Sequence, residues 1–102
     1  MPTHRTHAPV LVSLEDGRAA SLVEMWAEDT YFDGKNTVSA ATGEEFRHEE
    51  LCRSETGVWV LERAADWQGT RTTWEEFDAS QAAGWLARNA HEIPEELREQ
   101  IV

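Results

Sequence analysis

One segment of this chain narrows the choice of fold more than any other. Phe46-Arg47-His48-Glu49-Glu50-Leu51-Cys52-Arg53-Ser54 runs into Glu55-Thr56-Gly57, and Val58-Trp59-Val60-Leu61-Glu62-Arg63 runs back. Gly57 supplies the positive φ that a short hairpin loop requires. On the returning strand Trp59 and Leu61 share one face, and Val58 and Val60 share the other. Apolar side chains on both faces predict a central strand rather than an edge.

The flanking sequence supplies neighbours for that hairpin. Val10-Leu11-Val12-Ser13-Leu14 reads as a strand, Glu15-Asp16-Gly17-Arg18 as a tight turn, and Ser21–Trp26 as the returning partner. A helix over Ala19–Glu28 competes for the same residues, because Ala, Leu, Glu and Met favour helix; the hairpin is the preferred reading. Tyr31–Asn36 is a further turn whose aromatics are expected to anchor it to the core. Thr37–Glu45 lacks periodicity and reads as a loop, as does Ala64–Thr73, which carries Trp67 and Gly69.

Thr72–Phe77 alternates as a short strand. Asp78 then stands as an N-cap with Gln81 completing a capping box. The helix that follows, Ala79–Ala90, places Ala82, Trp85, Leu86 and Asn89 on one stripe. Gly84 inside it suggests a close approach to the sheet, since glycine costs about 1 kcal/mol against Ala there. Pro94 suits the first position of a last helical turn, Pro94–Gln100. Residues 1–8 are polar and read as a flexible tail. The expectation is one α+β domain over residues 9–102: a small antiparallel sheet of hairpins, one C-terminal helix packed on it, and a final helical turn.

Charge bears on function more than on fold. Twenty Asp and Glu oppose nine Lys and Arg in 102 residues, a formal net charge of −11. Solubility of a small domain asks for a magnitude of only about 2–8. A surface this acidic repels nucleic acid and anionic membrane and attracts basic protein surfaces. The lone cysteine, Cys52, excludes an internal disulfide and fits a reducing compartment. The N-terminus lacks the apolar stretch of a signal peptide, and no apolar run approaches the roughly 20 residues of a membrane span. A cytoplasmic protein is expected.

The pattern Phe46-x-His48-Glu49-x-Leu51-x-Arg53-Ser54-x-x-Gly57-x-Trp59-x-Leu61 resembles a broad group of small uncharacterised bacterial proteins, many associated with plasmids and other mobile elements. The resemblance spans residues 31–97. It includes the Asp-Gly turn of Tyr31-Phe32-Asp33-Gly34-Lys35 and the late helix of Asp78-x-x-Gln81-Ala82-Ala83-x-Trp85-Leu86. Cys52 stands where an aromatic is common in that group. The resemblance implies the hairpin and helix, and a mobile-element setting, without conferring an activity.

Several residue groups carry the types that chemistry needs. His48-Glu49-Glu50 places an imidazole beside carboxylates, and on a strand His48 and Glu50 share a face while Glu49 points away. A metal site requires three or four converging ligands, and no second cluster has the spacing. His4-x-x-His7 lies in the expected tail without further ligands, and His91 follows the helix end, where it complements the dipole. Cys52 has no motif neighbour and reads as a small buried hydrophobe. Asp78, Ser80 and a histidine lack the turn that exposes a serine nucleophile. No phosphate-binding or dinucleotide loop is present, and no cofactor or metal is called for.

Trp59, Trp67, Trp74 and Trp85 lie close along the chain. Aromatics stack on bases and sugars, but the chain lacks the basic footprint of a nucleic-acid binder. Trp59 and Trp85 read as core. Trp67 reads as exposed, a hot-spot type at protein interfaces. The leading expectation is a small acidic interaction module that binds a basic protein surface, in its sharper form a mobile-element inhibitor or nucleic-acid mimic acting on a nucleic-acid-binding protein. Its expected anchors are Glu49, Glu50, Trp67, Glu75 and Glu76. The alternatives are a metal-dependent or acid–base enzyme using His48 and Glu50, and a small-ligand or carbohydrate module using Trp67 and Trp74.

Overall fold

The computed structural model describes residues 2–100; Met1 of the expected tail and the last two residues of the expected domain lie outside them. Seven strands precede one helix: β1 (His4–Ser13), β2 (Ala19–Ala27), β3 (Thr30–Phe32), β4 (Thr37–Ser39), β5 (Arg47–Ser54), β6 (Trp59–Ala65), β7 (Thr73–Phe77) and α1 (Ala79–Arg88). A 3₁₀ segment, Glu95–Gln100, follows. The fold is α+β. Five strands form one antiparallel sheet in the order β1-β2-β5-β6-β7, and β3-β4 form a separate hairpin.

The hairpin at the centre of the sequence is also the centre of the sheet. β5 pairs with β6 from Arg47↔Ala65 to Arg53↔Trp59, and each has another strand on its far side. Gly57 closes the turn at φ 87°, where a Cβ would be strained. The buried Ser54 hydroxyl accepts from the Val58 amide at 3.0 Å and so fixes the loop.

β2 is a strand, so the helical propensity of Ala19–Glu28 is overridden. The pairing of β2 with β5 shifts register between Leu22 and Glu24. That irregularity breaks strict alternation and sends Leu22 and Met25 to one face and Trp26 to the other. A bulge of this kind removes the period-2 signature that would otherwise mark a strand.

The expected tail is corrected from His4 onward. Residues 4–8 are the first half of β1, paired with β2 through His4↔Trp26, Arg5↔Met25 and Thr6↔Glu24. Tertiary contacts hold this polar run. The His4 ring stacks on Trp26 at 4.3 Å, and its Nε2 meets Glu24 Oε2 at 2.6 Å. Pro9 is accommodated because β1 is an edge strand and the register shifts between Thr6 and Val10; edges and bulges are where a strand tolerates proline.

Two further expectations change. The segment Thr37–Glu45 is not wholly a loop, since Thr37–Ser39 pairs with Thr30–Phe32. Tyr31 and Phe32 do not anchor this hairpin: they are 50 % and 69 % exposed, and Val38 supplies the buried apolar side chain.

The sheet has a core on each face. On one, Trp26, Leu51, Trp59 and Leu61 pack with Ala82, Ala83, Trp85 and Leu86 of α1 and with Leu97. On the other, Val12, Leu14, Ala20, Leu22, Met25, Cys52 and Val60 cluster, with Val58 and Trp74 against them. Sheet curvature closes this second core. The Glu15 amide, just past β1, donates to the Trp74 carbonyl in β7 at 2.9 Å, which draws the two ends of the strand order together as in a partly open barrel.

α1 begins and ends by well-defined chemistry. The Asp78 side chain accepts from the Gln81 amide, and the Gln81 side chain accepts from the Asp78 amide. At the other end the His91 amide reaches back to the Leu86 carbonyl at 3.0 Å, with Ala90 in the left-handed region at φ 61°. Fully buried Asn89 is satisfied on both sides: its amide donates to the Trp85 carbonyl and its Oδ1 accepts from the Asp29 amide. His91 stacks on Trp85, and its Nε2 lies 2.6 Å from the Ala27 carbonyl. Gly84 is not explained by the sheet. A Cβ there would meet the Arg88 guanidinium at 3.1 Å, the mobile end of a side chain of the same helix. No described helix is long and apolar enough to cross a membrane.

Candidate functional site

Alternation along β5 distributes the candidate residues to opposite faces. Glu49 points toward the helix, where its Oε1 accepts from Trp85 Nε1 at 3.0 Å. Glu50 and Cys52 point to the other face. Cys52 is buried, and its thiol is pushed up to about 12 by that burial and by the Glu62 and Glu50 carboxylates; it is therefore a protonated core side chain at neutral pH.

His48 lies between two carboxylates. Its Nδ1 is 2.7 Å from Glu28 Oε2 and its Nε2 is 2.9 Å from Asp66 Oδ2. The hydrogen bond to Glu28 raises its pKa most, Asp66 adds to the rise, and desolvation opposes both. Two acceptors favour the imidazolium, which donates from both nitrogens. Glu50 is elsewhere: it stands directly opposite Glu62 across the β5–β6 pair. Burial, then the Glu62 charge, raises the Glu50 pKa. Among the described residues, no three His, Cys, Asp or Glu side chains are arranged to hold a metal ion.

The aromatic candidates are likewise separated. Trp67 is 46 % exposed and packs at 6.1 Å on Phe46, itself exposed. The Arg47 guanidinium covers its ring at 4.8 Å. Trp74 sits instead against the second core, and its Nε1 donates to Glu62 at 3.0 Å.

The acids predicted as anchors divide into three settings. Glu49 and Glu75 flank the Arg63 guanidinium at 3.4 and 3.5 Å on the helix-bearing side. Glu50 faces Glu62 on the other side. Glu76 pairs with Arg18, which also holds Asp16 at 2.6 Å. The Arg18 side chain lowers the Asp16 pKa, and the two carboxylates raise that of Arg18.

One grouping was not legible from spacing. Glu15 and Asp16, from the β1–β2 turn, meet Glu75 and Glu76 of β7 around a hollow of about 230 Å³. These two acid pairs are some sixty positions apart in sequence. Sheet curvature brings them together, locked by the Glu15–Trp74 backbone hydrogen bond. The paired acids were visible in the sequence; the closure that unites them was not.

The class that fold and site define is thus an acidic α+β domain with carboxylates gathered at the seam of a curled five-stranded sheet. Comparison with protein-family models, with curated proteins and with solved structures finds no match to this chain.

Proposed function

We propose that this protein is a small acidic interaction module that docks on a basic surface of another protein. The observation that carries this reading is the convergence of Glu15, Asp16, Glu75 and Glu76 around one hollow, where Arg18 is the cation in contact with two of them. Arg63 meets a third, Glu75, from the helix-bearing side at 3.5 Å, so four carboxylates stand against two guanidiniums and a local negative excess remains on a chain already at −11. Such a patch steers a basic partner by long-range attraction and sets its register on contact.

In its sharper form the partner is a nucleic-acid-binding protein. Carboxylates spaced over a protein surface substitute for phosphates, and the resemblance to mobile-element proteins suits an inhibitor of that kind. Glu75 and Glu76 lie in the acidic hollow, Trp67 offers an exposed aromatic anchor on the β6–β7 loop, and Glu49 and Glu50 add charge on opposite faces of β5.

The test is affinity capture from a lysate of the source cell with wild-type protein and with a Glu75→Gln/Glu76→Gln variant, washed at low and at high salt. A basic partner lost both at high salt and with the variant supports the proposal, because exposed charges are screened beyond about 8–10 Å at physiological ionic strength. A partner retained equally under all four conditions overturns the electrostatic mechanism.

A further inference from the structure

Three of the eight arginines in this acidic chain surround a single hollow beside the acidic seam: Arg63 reaches the seam's Glu75 at 3.5 Å, and Arg71 shares a neighbouring cavity with Glu15. Arg47 at the start of β5, Arg63 near the end of β6 and Arg71 in the β6–β7 loop line a cavity of about 350 Å³ together with Thr70, Thr73 and one carboxylate, Glu49. The volume is at the lower end of the range for small-molecule sites, roughly 300–1,000 Å³.

The register explains why these side chains converge. Arg47 pairs with Ala65 and Glu49 with Arg63 across β5–β6, and Arg63 pairs with Thr73 across β6–β7. Arg47, Arg63 and Thr73 therefore lie on one face. It is the face that carries α1, beyond the point where Trp85 covers it. The loop from Asp66 to Thr72 brings Thr70 and Arg71 to the rim.

The guanidinium groups are not saturated within the protein. With 20 carboxylates for nine Lys and Arg, tight pairing of every arginine is available in principle. Yet Arg63 lies 3.4 Å from Glu49 and 3.5 Å from Glu75, longer than the roughly 2.7–2.9 Å of a charge-assisted hydrogen bond. Arg71 is exposed and pairs with no carboxylate among the described residues. Arg47 is held at one edge by Glu44 at 3.0 Å and lies over the Trp67 ring, which orients it without using all its donors. Each guanidinium has five N–H donors in a rigid fork that fits a carboxylate or a phosphate.

We propose that this hollow binds a small molecule through an oxyanion group, a carboxylate or a phosphate, clamped by Arg63 and Arg71 with the Thr70 and Thr73 hydroxyls beside them. Glu49 is a positioning residue: fixed by the Trp85 indole, it aims Arg63 into the hollow. Ala65, on the same face as Arg47, offers an apolar wall for the rest of the molecule. The overall charge of −11 opposes approach of an anion at long range, whereas the arginine forks act at contact distance, where screening is least effective. Added salt therefore weakens this association far less than it weakens docking of a basic protein at the acidic seam.

Titration of the ¹⁵N-labelled full chain with inorganic phosphate and, separately, with succinate tests the proposal. Saturable shifts confined to the amides of residues 63–65 and 70–73 and to the Trp67 indole support it, and the anion that produces them names the oxyanion class. Arg71→Ala, a change on an exposed loop, is expected to weaken the dissociation constant at least tenfold while leaving the remaining spectrum in place. Arg88→Ala, on the exposed side of α1, is expected to change it less than twofold. Absence of saturable shifts with both anions overturns the proposal. So do shifts spread over the whole chain, or shifts equally lost in both variants.

Discussion

The two faces of the central sheet solve the same problem with different materials. The helix-bearing face buries Trp26, Trp59 and Trp85 beside Leu51, Leu61 and Leu86, and the carboxylates at its border meet arginines: Glu24 with Arg53, Glu49 and Glu75 with Arg63. The opposite face uses smaller side chains, Val12, Ala20, Leu22, Met25, Cys52 and Val60. It is closed by curvature, and at its border Glu50 looks straight across at Glu62. A helix can cover a wide apolar face with large side chains. A sheet curling on itself must taper its interior, and the acids at its rim outnumber the cations there: Arg18 serves both Asp16 and Glu76, while Glu50 faces Glu62. The covered face therefore supplies stability, whereas the curled face gathers acid at its rim.

Truncation within each core tests that division most forcefully. Trp85→Ala removes a side chain that is 1 % exposed and also strips Glu49 of its indole donor. A loss of about 3–5 kcal/mol is expected in denaturant unfolding. Met25→Ala in the curled core leaves a smaller void, lined by side chains with room to relax, and should cost closer to 2 kcal/mol, the low end for Met→Ala. If Met25→Ala proves the more damaging of the two, the curled face is the structural centre and the comparison is inverted.

The covered face was also the more legible in sequence. Alternation of Trp59 and Leu61, the Gly57 turn, the Asp78–Gln81 box and the Ala82–Trp85–Leu86–Asn89 stripe are local signals, and local geometry follows them. The curled face, and the outlying parts of the covered one, depend on what local signals do not carry. The β2 bulge breaks the alternation of a strand that the Asp16-Gly17 turn marks and for which helical propensity competes. His4 joins a strand because Trp26 is there to stack on. The acidic seam exists because Glu15 and Trp74 share one backbone hydrogen bond. The arginine hollow needs three strands in register before its members meet.

A smaller effect sharpens the comparison at the helix end. Ala90 occupies the left-handed region at φ 61°, the position after the cap that glycine takes most readily. An L-residue there costs roughly 1–2 kcal/mol, and glycine returns part of that through its greater freedom when unfolded. Ala90→Gly is expected to stabilise the protein by about 0.5–1 kcal/mol, seen as a higher denaturation midpoint at unchanged m-value.

The charge imbalance of the curled face predicts a gain of similar or smaller size. Like charges directly opposite in a sheet are destabilising by some tenths of a kcal/mol, at most about 1. Glu50→Gln should therefore raise stability at neutral pH. The folded-state pKa of Glu50 lies above its ordinary value through burial and the Glu62 charge. The penalty is consequently absent below about pH 4.5, where the carboxyl is protonated folded and unfolded alike, and grows as pH rises through the folded value. The gain from Glu50→Gln should follow that course; a gain that persists undiminished into acid would mean that the glutamine adds a contact rather than removing repulsion.

The smallest effect concerns the junction between the two faces. Glu28 collects His48 Nδ1, the Ser39 hydroxyl and the Glu49 amide, so one carboxylate ties the β3–β4 hairpin to the start of β5. The His48 pKa is raised, first by Glu28 and then by Asp66. A raised histidine contributes stability that is fully present below the unfolded value near 6.5 and is lost as pH climbs through the folded value. The ring is 37 % exposed, so solvent screening keeps the contribution small. Stability should thus decline gently with rising pH above about 6.5, and His48→Gln should remove that slope. Amide exchange at Glu49 locates the event: this amide, which donates to Glu28, should exchange faster once His48 is neutral, relative to the α1 amides, if Glu28 is oriented by the imidazolium. Unchanged relative exchange would show that Ser39 and the Glu49 amide suffice to hold Glu28, leaving His48 as a surface charge with no part in joining the hairpin to the sheet.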